Sequence, residues 1–299
     1  MITLARNTRS RGAPFTAQKD SAPAPEARAG NVTTGVRVFA ASTVALGLVG
    51  VAWGDFAAVW QPVPDDLPGR VVLAYLTALV LIASGAGLLW RRSARASAAT
   101  LASLFLIFGM LWLPRVVHHP RILGTWNGVF EQLALVAAAL TYLAAITLPN
   151  GSHLGRAARI LFGVCLLSFG ATHFDALKPT ADLVPTWLPP SRRFWAAATG
   201  VFHIAAGVAI LADVLPVLAS RLFTAMLITF GALVWAPRLF ANPHDHTVWA
   251  GNAINLTLIG AAWLMADSIA RGTTRSHPGK PRGQSGPLAA ANGADRDPR

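Results

Sequence analysis

GATHFDALKPTADLVPTWLPPSRRFWAAATGVFHIAAG, residues 170–207, reads as the end of one apolar helix, a loop, and the start of a second apolar helix. The first helix carries His173 and Asp175, the loop is marked by Pro185, Trp187, Pro189 and Pro190, and the second helix carries His203. Ala196, Gly200, His203 and Gly207 follow the spacing i, i+4, i+7, i+11 and therefore share one helical face. Small residues on that face let a neighbouring helix come close, which puts the imidazole in a helix–helix seam rather than in lipid. Ser168, Ala171 and Asp175 form a comparable stripe on the preceding helix. His173 lies two positions from Asp175 and points elsewhere, because helical neighbours are three or four residues apart.

The flanking sequence supplies the class. Of 299 residues, 54% are hydrophobic and only 13% are charged, about half the charge of a soluble domain. Eight apolar segments, near 37–60, 71–90, 98–117, 126–148, 159–178, 194–213, 219–239 and 248–268, have the length that crosses hydrocarbon as a helix. The fold expected is an all-α integral membrane protein with eight transmembrane helices. Residues 1–36 are rich in Ala, Pro, Arg and Ser and lack the apolar core of a secretory signal. They and residues 269–299 are expected to be disordered basic tails, with 149–158 as a linker.

The eight segments are two copies of four. VPDDLP (63–68) matches VPTWLP (184–189), IASGAGLL (82–89) matches IAAGVAIL (204–211), and FGMLWLPR (108–115) matches FGALVWAPR (230–238). WNGVFEQLAL (126–135) matches WAGNAINLTL (249–258), and Asp55 falls on Asp175. Residues 37–148 and 159–268 are therefore read as tandem four-helix bundles. An even number of spans per copy inserts both copies the same way up, giving a parallel repeat with both tails on one side. Placing the tails inside puts 18 of the 25 Lys and Arg residues on the inner side. The location expected is the inner (cytoplasmic) membrane, with both termini cytoplasmic.

The net charge of +12 sits mainly in the tails, in Arg6, Arg9, Arg11, Lys19, Arg28, Arg271, Arg275, Lys280, Arg282, Arg296 and Arg299. That pattern suits topology and anionic lipid rather than nucleic acid, and the bilayer is the partner it implies. Cys165 is the single cysteine, which excludes dithiol chemistry within the chain. Phosphate-loop, dinucleotide and HExxH motifs are lacking. His118-His119 and His244-x-His246 lack acidic or thiolate completion, so they read as solvated loop residues and no metal site is expected.

The remaining polar groups converge on one depth, the outer third. Asp55, Asp175, Glu131, Gln132, Asn252 and Asn255 lie there with the helix ends Trp112-x-Pro114-Arg115 and Trp235-Ala236-Pro237-Arg238. Asp55 and Asp175 with Arg115 and Arg238 suggest an internal ion-pair layer, against which stands ordinary placement at the headgroups. His203 serves either an interhelical hydrogen bond or proton handling and ligand binding. Axial ligation of haem by His173 and His203 ranks last, since their estimated depths differ. His173 corresponds to Trp53 and His203 to Leu81, so a single site is expected in the second copy.

The stretch also resembles the DoxX/DoxD-like family of small four-helix membrane proteins. The likeness rests on Gly170, His173 and Phe174, the Val184, Pro185, Trp187, Leu188, Pro189 loop, then Phe194, Trp195, Thr199, Gly200 and Gly207. It is good over 159–268 and weaker over 37–148, which lacks the histidines. The resemblance implies a four-helix unit and association with respiratory-chain or quinone-linked redox chemistry. On that basis the chain is expected to be an auxiliary component of such a process, with a quinone or a respiratory-chain protein as its partner. His203, His173 and Asp175 would handle a proton or hydrogen-bond a quinone-like headgroup, with Trp187 and Trp195 at the mouth. Two rival expectations are a small-solute transporter or channel, against which the helices lack evident Gly/Pro-broken midpoints, and a membrane scaffold or assembly factor.

Overall fold

The computed structural model describes residues 32–149 and 152–276, so the tail expectations over 1–31 and 277–299 lie outside the described residues. Helices α1 (Thr34–Trp53), α2 (Arg70–Gly87), α3 (Ala94–Leu111), α4 (Leu113–His118) and α5 (Leu123–Thr147) make up the first half. The second half contains α6 (His153–Asp175), α7 (Leu177–Leu183), α8 (Arg192–Leu211), α9 (Pro216–Phe230), α10 (Ala236–Ala241) and α11 (His246–Ser276). Among the described residues, eight helical stretches are long and apolar enough to cross a membrane, with α3 continuing into α4 and α9 into α10 to form single spans. The chain is thus an all-helical, multi-pass membrane protein.

Local chemistry sets the ends. The side chains of Thr33, Ser152 and Ser191 each accept a hydrogen bond from a backbone N–H in the first turn of the helix that follows. Gly54, at φ 62°, ends α1 in a left-handed conformation that any side chain would resist. α6 starts at His153, inside the stretch expected to be a linker, and α11 runs on to Ser276 where a tail was expected at 269. Both extensions continue beyond the hydrocarbon-matched run, and the backbone keeps its internal hydrogen bonds past that point.

α1 packs on α2 and α11, α6 on α8 and α5, α3 on α5, and α9 on α11. Long helices α5 and α11 also touch each other, so they form the middle of the molecule. One core joins Phe39, Leu46, Leu81, Leu101, Phe105 and Leu135 to Ile254 and Leu264 of α11. The other joins Phe162, Leu166, Phe223 and Met265 to Ala134 and Ala137 of α5. Neither core stays within its own half. Asp267 of α11 accepts the backbone N–H of Gly35 at 3.0 Å, tying the start of α1 to the end of α11.

The exterior carries Val72, Leu76 and Leu79 on α2 and Val201, Phe202 and Val208 on α8, all exposed. An apolar exterior of this kind is what a helix presents to lipid. Ion pairs are held at the helix ends: Arg70 with Asp55 and Asp65, Arg159 with Asp213, and Arg192 with Asp182. Arg115 and Arg238 take no part in them. Arg115 lies 4.9 Å from the Trp112 ring and Arg238 5.4 Å from the Trp235 ring, so each stacks on its own helix end. The expected ion-pair layer is corrected accordingly: Asp55 meets Arg70, and Asp175 has a different role described below.

Candidate functional site

α6 and α8 approach closely because their facing residues are small. A Cβ on Gly170 would stand 2.7 Å from the Gly200 carbonyl oxygen, and one on Gly207 2.8 Å from that of Gly163. This contact turns Ala196, Gly200, His203 and Gly207 inward, all buried. His203 is 6% exposed and lies edge-on to Phe169 and Phe223, with ring centroids 5.9 and 5.3 Å away.

The His173 and His203 rings are neighbours, with centroids 4.7 Å apart and planes tilted by 36°. The expectation that they sit at different depths is corrected here. Counted along each helix they occupy different levels, yet antiparallel packing of α6 on α8 brings them side by side. Each ring is oriented by its own helix. Nδ1 of His173 lies 2.8 Å from the Phe169 carbonyl oxygen, and Nδ1 of His203 lies 2.7 Å from that of Thr199. A carbonyl oxygen only accepts, so Nδ1 carries the proton and a neutral ring is left with a lone pair at Nε2.

Both histidines line a cavity of about 240 Å³ enclosed by α5, α6, α7, α8, α9 and α11. Phe162, Phe169, Phe223, Phe230, Trp60 and Trp235 place aromatic rings around it, among aliphatic and polar side chains. Its polar lining includes Glu131 and Asn127 of α5 and Asn255 of α11. The Asn127 side chain donates to the Glu131 carboxylate one helical turn away. Thr172 and Thr199 also face the cavity, but their hydroxyls donate back to the Ser168 and Trp195 carbonyls.

The other expected residues fall elsewhere. Asp175 ends α6, and its carboxylate accepts the backbone N–H of Leu123 at 3.1 Å, so it caps the start of α5 instead of lining the cavity. Trp187 is 68% exposed in the loop. Trp195 donates its indole N–H to the Pro189 carbonyl at 2.8 Å and braces the loop. Neither is part of the cavity wall. His246, expected to be solvated, stacks on Trp53 at 5.2 Å.

Sequence reading assigns Glu131 to no site, although an acid inside an apolar helix is itself a signal for a lined cavity. Trp60 was also missed, since it reaches the second half from the loop after α1. Among the described residues no cluster of three or more His, Cys, Asp or Glu has metal-holding geometry. A single haem between the two rings does not fit either: metal–nitrogen bonds of about 2 Å put trans ligand centroids well beyond 4.7 Å.

This defines a class: an all-helical membrane protein with a cavity between its helices that bears aromatic rings, two histidines and a carboxylate. A family model described as a domain of unknown function (DUF8561) matches residues 162–266, from the middle of α6 to late in α11. That region contains both histidines and most of the cavity wall, but not Glu131. No curated protein and no solved structure matches the chain.

Proposed function

We propose that the chain is a DoxX/DoxD-like membrane protein whose cavity holds a small quinone-type headgroup, as an auxiliary component of a membrane redox process. The observation that carries this reading is the His173–His203 pair, 4.7 Å apart, on the wall of the cavity that also exposes Glu131. An aromatic enclosure with a few convergent polar groups suits a flat, mostly apolar ring with polar substituents. In this reading the histidines and Glu131 contact the polar substituents, while Phe169 and Phe223 hold the ring.

The two halves are proposed to be parallel four-helix repeats. Exchanging α1 with α6, α2 with α8, α3 with α9 and α5 with α11 maps each major packing pair onto another, which supports duplication. The distribution of Lys and Arg supports an inner membrane and cytoplasmic termini. The test is to purify the protein from membranes, extract its lipid and record its absorbance spectrum. Co-purifying quinone, recovered in its oxidised or its hydroquinone form, without a haem band is the expected outcome. His203→Ala should remove the quinone while membrane insertion persists, and unchanged quinone content in that variant rejects the proposal.

One observation favours a second reading, a small-solute transporter. The span Pro216–Ala241 is interrupted by a π-helical turn, Gly231–Trp235, next to the cavity, although the sequence suggested no broken helix. Such turns recur at functional sites, and interrupted helices line substrate paths in transporters. Uptake of small solutes into proteoliposomes in proportion to protein would favour this reading over the first.

A further inference from the structure

The cavity is not chemically symmetric, and its hydrogen-bond inventory points to a ligand class. On the α6/α8 wall every polar side chain has already used its proton. His173 and His203 donate from Nδ1 to Phe169 and Thr199, leaving Nε2 with a lone pair. The hydroxyls of Thr172 and Thr199 donate to Ser168 and Trp195, leaving only oxygen lone pairs. This wall is made of acceptors. Groups that retain N–H donors, the Asn127 and Asn255 amides and the indoles of Trp60 and Trp235, belong to α5, α11, the loop after α1 and the π-helical turn.

A carbonyl or ether oxygen against the histidine wall would meet lone pair with lone pair. A buried acceptor left unpaired is costly, so such a ligand would bind poorly or turn away. An O–H group placed there meets Nε2 directly. The surrounding rings of Phe162, Phe169 and Phe223 select a flat apolar body to carry it. Together, a donor and an aromatic ring describe a phenol.

We infer that the cavity selects aromatic hydroxyl compounds, phenols and hydroquinones, over their carbonyl or ether counterparts, with the O–H directed at the His173–His203 pair. This rests on the proposed function's reading of the cavity as a ligand site and specifies which form of the headgroup it takes. No redox step is implied; the selection is one of binding.

A pair of stable probes isolates the O–H group: 4-tert-butylphenol and 4-tert-butylanisole, which differ by capping the hydroxyl. Binding of each to the purified full-length protein in detergent is measured by equilibrium dialysis. Empty micelles of the same detergent serve as the blank for partitioning, and the His203→Leu variant is measured beside the parent protein. Phenol binding at least about tenfold tighter than anisole binding, the value of roughly one net hydrogen bond, is expected, and the preference should vanish in the variant. Should His203→Leu fail to fold, His173→Phe replaces it as the comparison variant. Equal binding of both probes overturns the selection while the cavity remains a ligand site. Failure of both probes to bind above the blank overturns the selection and the cavity reading together.

Discussion

The two halves of the molecule use matched positions for opposite ends. Where the second half has His203 facing a cavity, the first has Leu81, 2% exposed, in a core filled by Leu101 and Phe105. In place of His173 the first half has Trp53, which stacks on His246 and tilts against Trp249. Yet the frames agree. Arg115 on Trp112 corresponds to Arg238 on Trp235, and the Trp126 indole donating to Pro120 corresponds to Trp249 donating to Pro243. The lesson is that similar helix packing tolerates either a solid or a hollow centre, and that both histidines line the hollow one. A packed interior contributes stability from every methylene, so a cavity kept open costs stability and calls for another use.

Exchanging the diagnostic residues is the strongest way to break this contrast. Leu81→His should destabilise the protein by about 3 kcal/mol or more, because it removes buried apolar volume and places a polar ring in a filled core. His203→Leu, the reverse exchange, should change stability by less than about 1 kcal/mol, since the leucine gains burial where the imidazole loses one hydrogen bond. Both are measured by denaturation in mixed micelles. Equal costs in the two halves would show that the second is no more hollow than the first.

A smaller effect probes the helix contacts. Gly170→Ala sets a Cβ 2.7 Å from a backbone oxygen of Gly200, and neither helix can yield without shifting the histidines. A cost of about 1–3 kcal/mol is expected. Gly50→Ala, the matched change, meets the Ala78 side chain at 3.0 Å and should cost less. The order of the two thermal midpoints in one detergent is the readout, and a reversed order would place the tighter seam in the first half.

Below these comes Asp175→Ala, which removes the carboxylate capping the Leu123 N–H. The loss expected is about 1 kcal/mol, as for other helix caps, with ligand binding intact. A binding defect without a stability defect would restore Asp175 to the site.

How far the sequence could be read depends on the range of the interaction. Apolar length marks a span by itself, so Leu123–Thr147 and its counterparts were legible, although the end of α1, the start of α6 and the end of α11 fell six to eight residues from where they were expected. The inward face of α8 was legible too, because Ala196, Gly200, His203 and Gly207 repeat at helical spacing. Depth was not. The His173–His203 contact depends on how far α6 slides along α8, which Gly163, Gly170, Gly200 and Gly207 fix by close approach and no local pattern records. Glu131 and Trp60 escaped assignment for the same reason: they come to the cavity from the other half of the chain, Glu131 beside the α5–α6 contact and Trp60 by meeting the Trp235 ring.

Trp187 gives the smallest and sharpest case. The loop sequence made it a guardian of the pocket mouth, while the fold leaves 68% of it exposed and outside the cavity wall. Exposed residues without specific partners usually change stability by less than about 0.5 kcal/mol when replaced. Trp187→Ala should therefore leave both stability and phenol binding as they are in the parent protein, with an aromatic at the headgroup level lost and nothing else. Slower ligand exchange or weaker binding in that variant, measured by the same dialysis, would mean that the route into the cavity runs past the loop after all. The entrance would then belong beside α7, whose Thr180 and Leu183 already face the cavity from the segment just before Trp187.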